Sequence, residues 1–90
     1  MSVPPPNGAP ADAVAVYQEL SELSDRFDAV TDEDVAAGVG TSLIADLARI
    51  RDRMIPLHQR YKSAGHMKGA VAKWRSLNTS IPARVNTYKA

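Results

Sequence analysis

Two apolar seams, each stepping by threes and fours without a break, constrain this chain more than any other feature. Between Asp12 and Val30, the residues Ala13, Val16, Leu20, Leu23, Phe27 and Val30 are spaced 3, 4, 3, 4 and 3. Further along, Leu43, Leu47, Ile50, Met54, Leu57 and Tyr61 are spaced 4, 3, 4, 3 and 4. Such spacing lays one apolar stripe along a helix, because a helical turn takes between three and four residues. A shorter seam follows, with Met67, Ala70, Trp74, Leu77 and Ile81 spaced 3, 4, 3 and 4. No segment alternates as a half-buried strand would, so the expected fold class is all-α.

The punctuation between the seams sets the element boundaries. Pro10 and Asp12 suit the first turn of a helix, where an amide needs no partner and a negative charge meets the positive helix end. Thr31-Asp-Glu-Asp34 is a helix-start signal, with Thr31 as N-cap and Asp34 in the place of the usual capping-box glutamate. The short helix it opens is expected to stop near Gly38-Val-Gly40, and Thr41 or Ser42 to cap the next. Pro56 interrupts the donor ladder of that long helix, yet the seam keeps its phase, which predicts a kink rather than an end. Gly65 is the expected C-terminal stop. The third helix is expected over about 66–79, with Ser80-Ile-Pro82 ending it or capping a final turn that carries Val85 and Tyr88. Residues 1–10 hold four prolines and an Asn7-Gly8 turn signal, and read as an extended arm. The expected organisation is an arm over 1–10, a helical domain over 11–82 and a tail over 83–90.

Charge selects how the two long seams meet. Residues 1–48 hold nine acids and the single base Arg26, while residues 49–90 hold ten bases and the single acid Asp52. On the first helix Asp12, Glu19 and Arg26 flank the seam at heptad position g, as do Asp46, Arg53 and Arg60 on the long one. In an antiparallel pair g faces g. One register layers Leu20 with Ile50, Leu23 with Leu47, Val16 with Met54 and Phe27 with Leu43. That register also brings together Asp12–Arg60, Glu19–Arg53 and Arg26–Asp46, all of opposite sign. A slip of one heptad would set Arg26 against Arg53 or Glu19 against Asp46. The expected architecture is therefore an antiparallel hairpin of 12–30 with 42–64. The third helix closes its open groove into a three-helix bundle, with Trp74 as its largest anchor.

Composition removes several classes of chemistry. The chain has 90 residues and no cysteine, so disulfides, thiolate catalysis and cysteine-ligated metals are out of reach. His58 and His66 lack the three- or four-residue spacing of helical metal ligands. Asp28, Asp32 and Asp34 lack the glycine and terminal glutamate of a calcium loop. Gly38-Val-Gly40-Thr41-Ser42 has no preceding strand and no Walker lysine, which leaves a helix break with a cap. No nucleophile–histidine constellation is evident, so the chain is expected to be no enzyme and to need neither cofactor nor metal. Met1-Ser-Val-Pro-Pro-Pro has neither the basic start nor the apolar run of a secretory signal, and no run is long enough to span a bilayer. A cytoplasmic place, or one within a larger assembly, is the expectation.

Two resemblances bear on function. The stretch Asp34-Val-Ala-Ala-Gly-Val-Gly-Thr-Ser-Leu-Ile-Ala-Asp-Leu-Ala-Arg-Ile50 resembles a helix-turn-helix of the phage-repressor type, with Ala36, Val39 and Gly40 in suitable places. Its two further apolar positions fall on Asp46 and Arg49. A turn one residue longer would put Leu47 and Ile50 there, and the hairpin seam already uses both. In size and hairpin architecture the chain is similar to small secreted proteins of the WXG type, without their Trp-x-Gly turn. The expected function is a small non-catalytic helical module that binds another protein, or itself as a homo-oligomer, as an adaptor, modulator or assembly subunit. A phage or mobile-element origin is compatible with so compact a chain. The expected partner-binding residues are Trp74, Lys68, Lys73, Arg75, Val85 and Tyr88. The alternative is nucleic-acid binding through the basic C-terminal half, where Tyr61, Trp74 and Tyr88 interleave with the cations. Neither a small-molecule substrate nor membrane insertion is expected.

Overall fold

The computed structural model describes residues 4–89, and side chains over 4–87. Four helices follow one another: α1 (Ala11–Ala29), α2 (Asp32–Ala36), α3 (Val39–Arg60) and α4 (Lys68–Lys89). No strand occurs among the described residues. The bundle is elongated, measuring 43 × 19 × 15 Å along its principal axes.

Helix α1 starts as expected, with Pro10 extended at the N-cap and its carbonyl accepting from the Val14 amide at 3.0 Å. The capping box of α2 is complete: the Asp34 amide donates to Thr31 Oγ1, and the Thr31 amide donates to Asp34 Oδ2, both at 3.1 Å. The start of α3 differs from the sequence expectation. Gly38 takes a left-handed φ of 101°, so the chain turns within one residue and α3 begins at Val39. Thr41 and Ser42 therefore lie inside the helix, and the Thr41 amide bonds the Gly38 carbonyl at 3.1 Å. A left-handed φ favours glycine because a Cβ would meet the following backbone.

Helix α3 runs uninterrupted through Pro56, with the ring exposed, and ends at Arg60. Gly65, at φ 72°, closes the turn that follows by donating its amide to the Tyr61 carbonyl at 3.0 Å. Helix α4 continues through Pro82 to Lys89, beyond the expected end near residue 79, so most of the expected tail is helical. The physical reason is that the third seam does not stop at the proline. Ile81 and Val85 are both buried, and that burial offsets the lost amide donor.

The hairpin register matches the charge argument. Arg26 pairs with Asp46 at 2.8 Å, Arg53 with Glu19, and Arg60 with Asp12 at 3.4 Å. Positions rise on α1 as they fall on α3, so the helices are antiparallel. Leu20, Leu23, Leu43, Leu47 and Ile50 form the floor of the core, each no more than 2% exposed. At the far end of the hairpin, Tyr61 adds a phenol hydrogen bond to the Asp12 carboxylate at 2.9 Å.

Helix α4 covers the other edge of α1. Tyr17, outside the seam but buried, donates its hydroxyl to the His66 carbonyl at 2.6 Å and lies against Gly69. Ser24, one heptad further on, is buried on the same edge. Arg84 of α4 reaches Asp32 at 3.1 Å and lies 5.9 Å from the centre of the Phe27 ring, which ties α2 and the end of α1 to the bundle.

Candidate functional site

Position on α4 separates the expected binding residues into three groups. Trp74 and Arg75 line a cleft between α3 and α4, of about 260 Å³, together with Arg51, Ile55, His58 and Val71. Trp74 is half-buried, and its indole Nε1 donates to the Leu47 carbonyl at 2.8 Å. That bond locks the ring plane, so one edge packs on the core while the rest forms a cleft wall. Lys68 is exposed at the start of α4, and Lys73 is half-buried.

Val85 belongs to the opposite case. It is buried against Gly40 in the first turn of α3, where the two backbones approach so closely that any Cβ at residue 40 would collide with it. A residue so placed holds two helices together, and little of the Val85 side chain is left exposed. The side chain of Tyr88 lies outside the described residues.

The α3 wall of the cleft was not anticipated from the sequence. Ile55 is 50% exposed and Ile44 37% exposed, although both sit beside a seam whose members are buried or half-buried. Among the described residues, the large exposed apolar side chains are Val39, Ile44 and Ile55, all on α3. A signal was present. Ile44 and Ile55 each follow a seam residue directly, and they stand eleven residues apart, which is close to three whole turns.

Charge is distributed unevenly around the cleft. Arg26, Arg53, Arg60 and Arg84 are held in ion pairs to carboxylates on other helices or further along the chain. Among the described residues Arg51 pairs only with its neighbour Asp52, at 3.5 Å with both side chains exposed, a geometry worth little in water. Arg75 makes no ion pair among the described residues. The cleft thus combines an apolar floor with a weakly paired guanidinium on the α3 wall and, among the described residues, one without an ion pair on the α4 wall.

Elsewhere the surface offers less. A broad hollow of about 510 Å³ lies along α1, bordered by Pro4, Pro5, Gln18, Ser21, Glu22 and Asp25, and is polar over much of its lining. His66 is half-buried with its ring edge toward Tyr61, 5.8 Å between centres, while His58 is exposed. Among the described residues, no group of three or more His, Cys, Asp or Glu side chains is placed to hold a metal ion. No described helix is long and apolar enough to cross a membrane. No family model, curated protein or solved structure matches this chain.

Proposed function

We propose that this chain is a non-catalytic helical protein-interaction module, an adaptor, modulator or subunit of a larger assembly, that docks a partner in the α3–α4 cleft. It would act in the cytoplasm or within that assembly. The observation that carries this reading is Ile55, half-exposed beside the half-buried Trp74, in a bundle whose seam residues are all buried or half-buried. An aromatic with its polar atom satisfied, an aliphatic neighbour in water and flanking arginines are the ingredients of an interface anchor.

Nucleic-acid binding is the second reading, favoured by Lys62, Lys68 and Arg75, which make no ion pair among the described residues. Against it, Arg26, Arg53, Arg60 and Arg84 are already engaged by carboxylates, so the basic half presents a thinner phosphate-binding surface than its composition implies.

Selection from a displayed library of random peptides tests the first reading. The expected result is recovery of peptides that bind the wild-type chain and lose that binding to Ile55→Glu. Recovery of peptides indifferent to Ile55→Glu overturns the cleft as the docking site. Anisotropy of a mixed-sequence DNA duplex tests the second. Micromolar binding that weakens steeply with salt, and survives Ile55→Glu, would move the function to nucleic acid.

A further inference from the structure

We infer that the occupant of the cleft is an acidic amphipathic helix that runs on past it along α3, with apolar anchors spaced to meet Ile55 in the cleft and Ile44 beyond its lining. This deepens the protein-docking reading and rests on it. Three observations select that occupant.

The first is the geometry of the α3 face. Ile44 and Ile55, eleven residues apart, lie about 20° apart around the helix and about 16 Å apart along it. Ala48 and Arg51 fall on the same strip between them, Ala48 half-buried and Arg51 exposed. An apolar residue at each end of a three-turn strip, with a small residue and a cation between, is the complement of a helix with three turns of matching pattern. A single side chain could fill the Ile55–Trp74 end but would leave Ile44 in water.

The second is charge. Arg51 projects from the α3 wall and Arg75 from the α4 wall, and neither has a carboxylate from another helix among the described residues. A partner helix carrying Glu or Asp beside its apolar stripe would pair with both while burying the isoleucines. A basic partner would be repelled by the same two groups.

The third excludes a second copy of this chain. Laying α3 antiparallel against α3 of another copy opposes Ile44 to Ile55, but it also brings the two Arg51 side chains together across the axis. The outer face of α1 offers carboxylates in Glu22 and Asp25. It has no large exposed apolar side chain, since those described all lie on α3. Of these two arrangements, the first matches the apolar pattern and the second the charge, and neither matches both.

Synthetic helix-forming peptides of about sixteen residues test this, with emission of Trp74, the only tryptophan, as the readout. One peptide carries leucines eleven residues apart with glutamate flanks, a second replaces the glutamates by lysine, and a third keeps the glutamates but scrambles the leucines. The first is expected to bind at about 10–100 μM and to shift the emission, with the other two binding at least about tenfold more weakly. Arg75→Glu and, separately, Arg51→Glu should each weaken the first peptide about three- to tenfold and strengthen the lysine peptide. Both positions are exposed, and an unchanged helical circular dichroism spectrum confirms that each variant is folded.

Equal binding of the glutamate and lysine peptides would overturn the acidic partner, and equal binding of the scrambled peptide would overturn the paired anchors. Sedimentation equilibrium showing a dimer of the free chain that Ile55→Glu dissolves would assign the cleft to a second copy. The two levels fail separately. Library peptides that need Ile55 but are basic or lack the spacing refute the acidic helix and leave protein docking standing, whereas peptides that ignore Ile55 refute docking in the cleft.

Discussion

Along α1 and α3 the bundle is closed by side chains matched in size and sign. Between α3 and α4 it is closed by a glycine–valine contact at one end and left as a cleft at the other. In the first interface, Leu20, Leu23, Leu47 and Ile50 exclude water, and the flanking charges are each answered across the seam. In the second, Gly40 lets Val85 reach the α3 backbone, Trp74 bonds the Leu47 carbonyl, and beyond it Ile55 stands in solvent. The same helix thus takes part in a finished interface on one side and an unfinished one on the other. An interface completed within the chain contributes stability, whereas one left open has surface to give a partner.

The largest break in this comparison is a cavity in the finished seam. Leu20→Ala or Ile50→Ala is expected to cost about 2–5 kcal/mol in chemical denaturation, because each removes a buried side chain from a packed core. Ile55→Ala, on the open side of the same helix, should change stability by no more than about 0.5 kcal/mol. If Ile55→Ala cost as much as Ile50→Ala, the cleft would be part of the core and the contrast would collapse.

That asymmetry explains what could be read from the sequence. The hairpin was legible because its two determinants, seam spacing and the sign of g residues, are both written in residue order. Register followed from three ion pairs, and all three are present. The third helix was legible in existence but not in extent, since Pro82 signals an end that Ile81 and Val85 override by packing. Tyr17 and Ser24 were missed as core residues. They sit at heptad position e, on the edge of α1 opposite its g row, and that edge is buried only because α4 closes over it. Of the candidate cleft, Trp74 and Arg75 are named in advance from the sequence, while Ile55 and Arg51 are not, although the eleven-residue spacing of Ile44 and Ile55 marks a strip on α3. Which flank of α3 stays open depends on how three helices meet, and no single-helix pattern encodes that.

Gly40 offers the next break, at the closed end of the second interface. Alanine is the better helix former by about 1 kcal/mol, so propensity alone predicts that Gly40→Ala stabilises. A Cβ there meets the stiff Val85 side chain, and overpacking of this kind costs about 1–3 kcal/mol. The expected result is a net loss of up to about 2 kcal/mol by thermal or chemical unfolding. In a Val85→Ala background the collision is gone, and Gly40→Ala should then stabilise by about 0.5–1 kcal/mol. A loss of equal size in both backgrounds would show that α3 and α4 do not meet there.

Tyr17 sharpens the comparison from the α1 side. Its hydroxyl is the link between α1 and the turn that launches α4, donating to the His66 carbonyl at 2.6 Å. Tyr17→Phe keeps the ring in the core and removes only that donor, for an expected cost of about 1 kcal/mol. The change should also speed amide exchange in α4 more than in the α1–α3 hairpin, since it loosens only the seat of α4 on α1. Uniform acceleration across all helices would mean that α4 and the hairpin unfold as one unit.

The smallest expected effect concerns the charges that set the register. Glu19 and Arg53 meet across the hairpin with side chains 30% and 50% exposed, so the pair is only partly screened. Glu19 Oε2 is buried without a hydrogen-bond partner among the described residues, so the carboxylate carries a desolvation cost, and either alanine substitution should cost less than about 1 kcal/mol. A double-mutant cycle is expected to return a coupling of about 0.2–1 kcal/mol, falling as salt rises. Small as it is, this term has a role the core cannot fill. Leucine-rich seams slide by a heptad at modest cost, whereas sliding this one sets like charges together at the flank. Reversing Glu19 to Arg while keeping Arg53 therefore tests selection rather than strength. The hairpin should remain helical, and nuclear Overhauser contacts between the Leu20 and Ile50 side chains should weaken. Undiminished contacts would show that the apolar layers alone hold the register, leaving the g charges as solvated flanks.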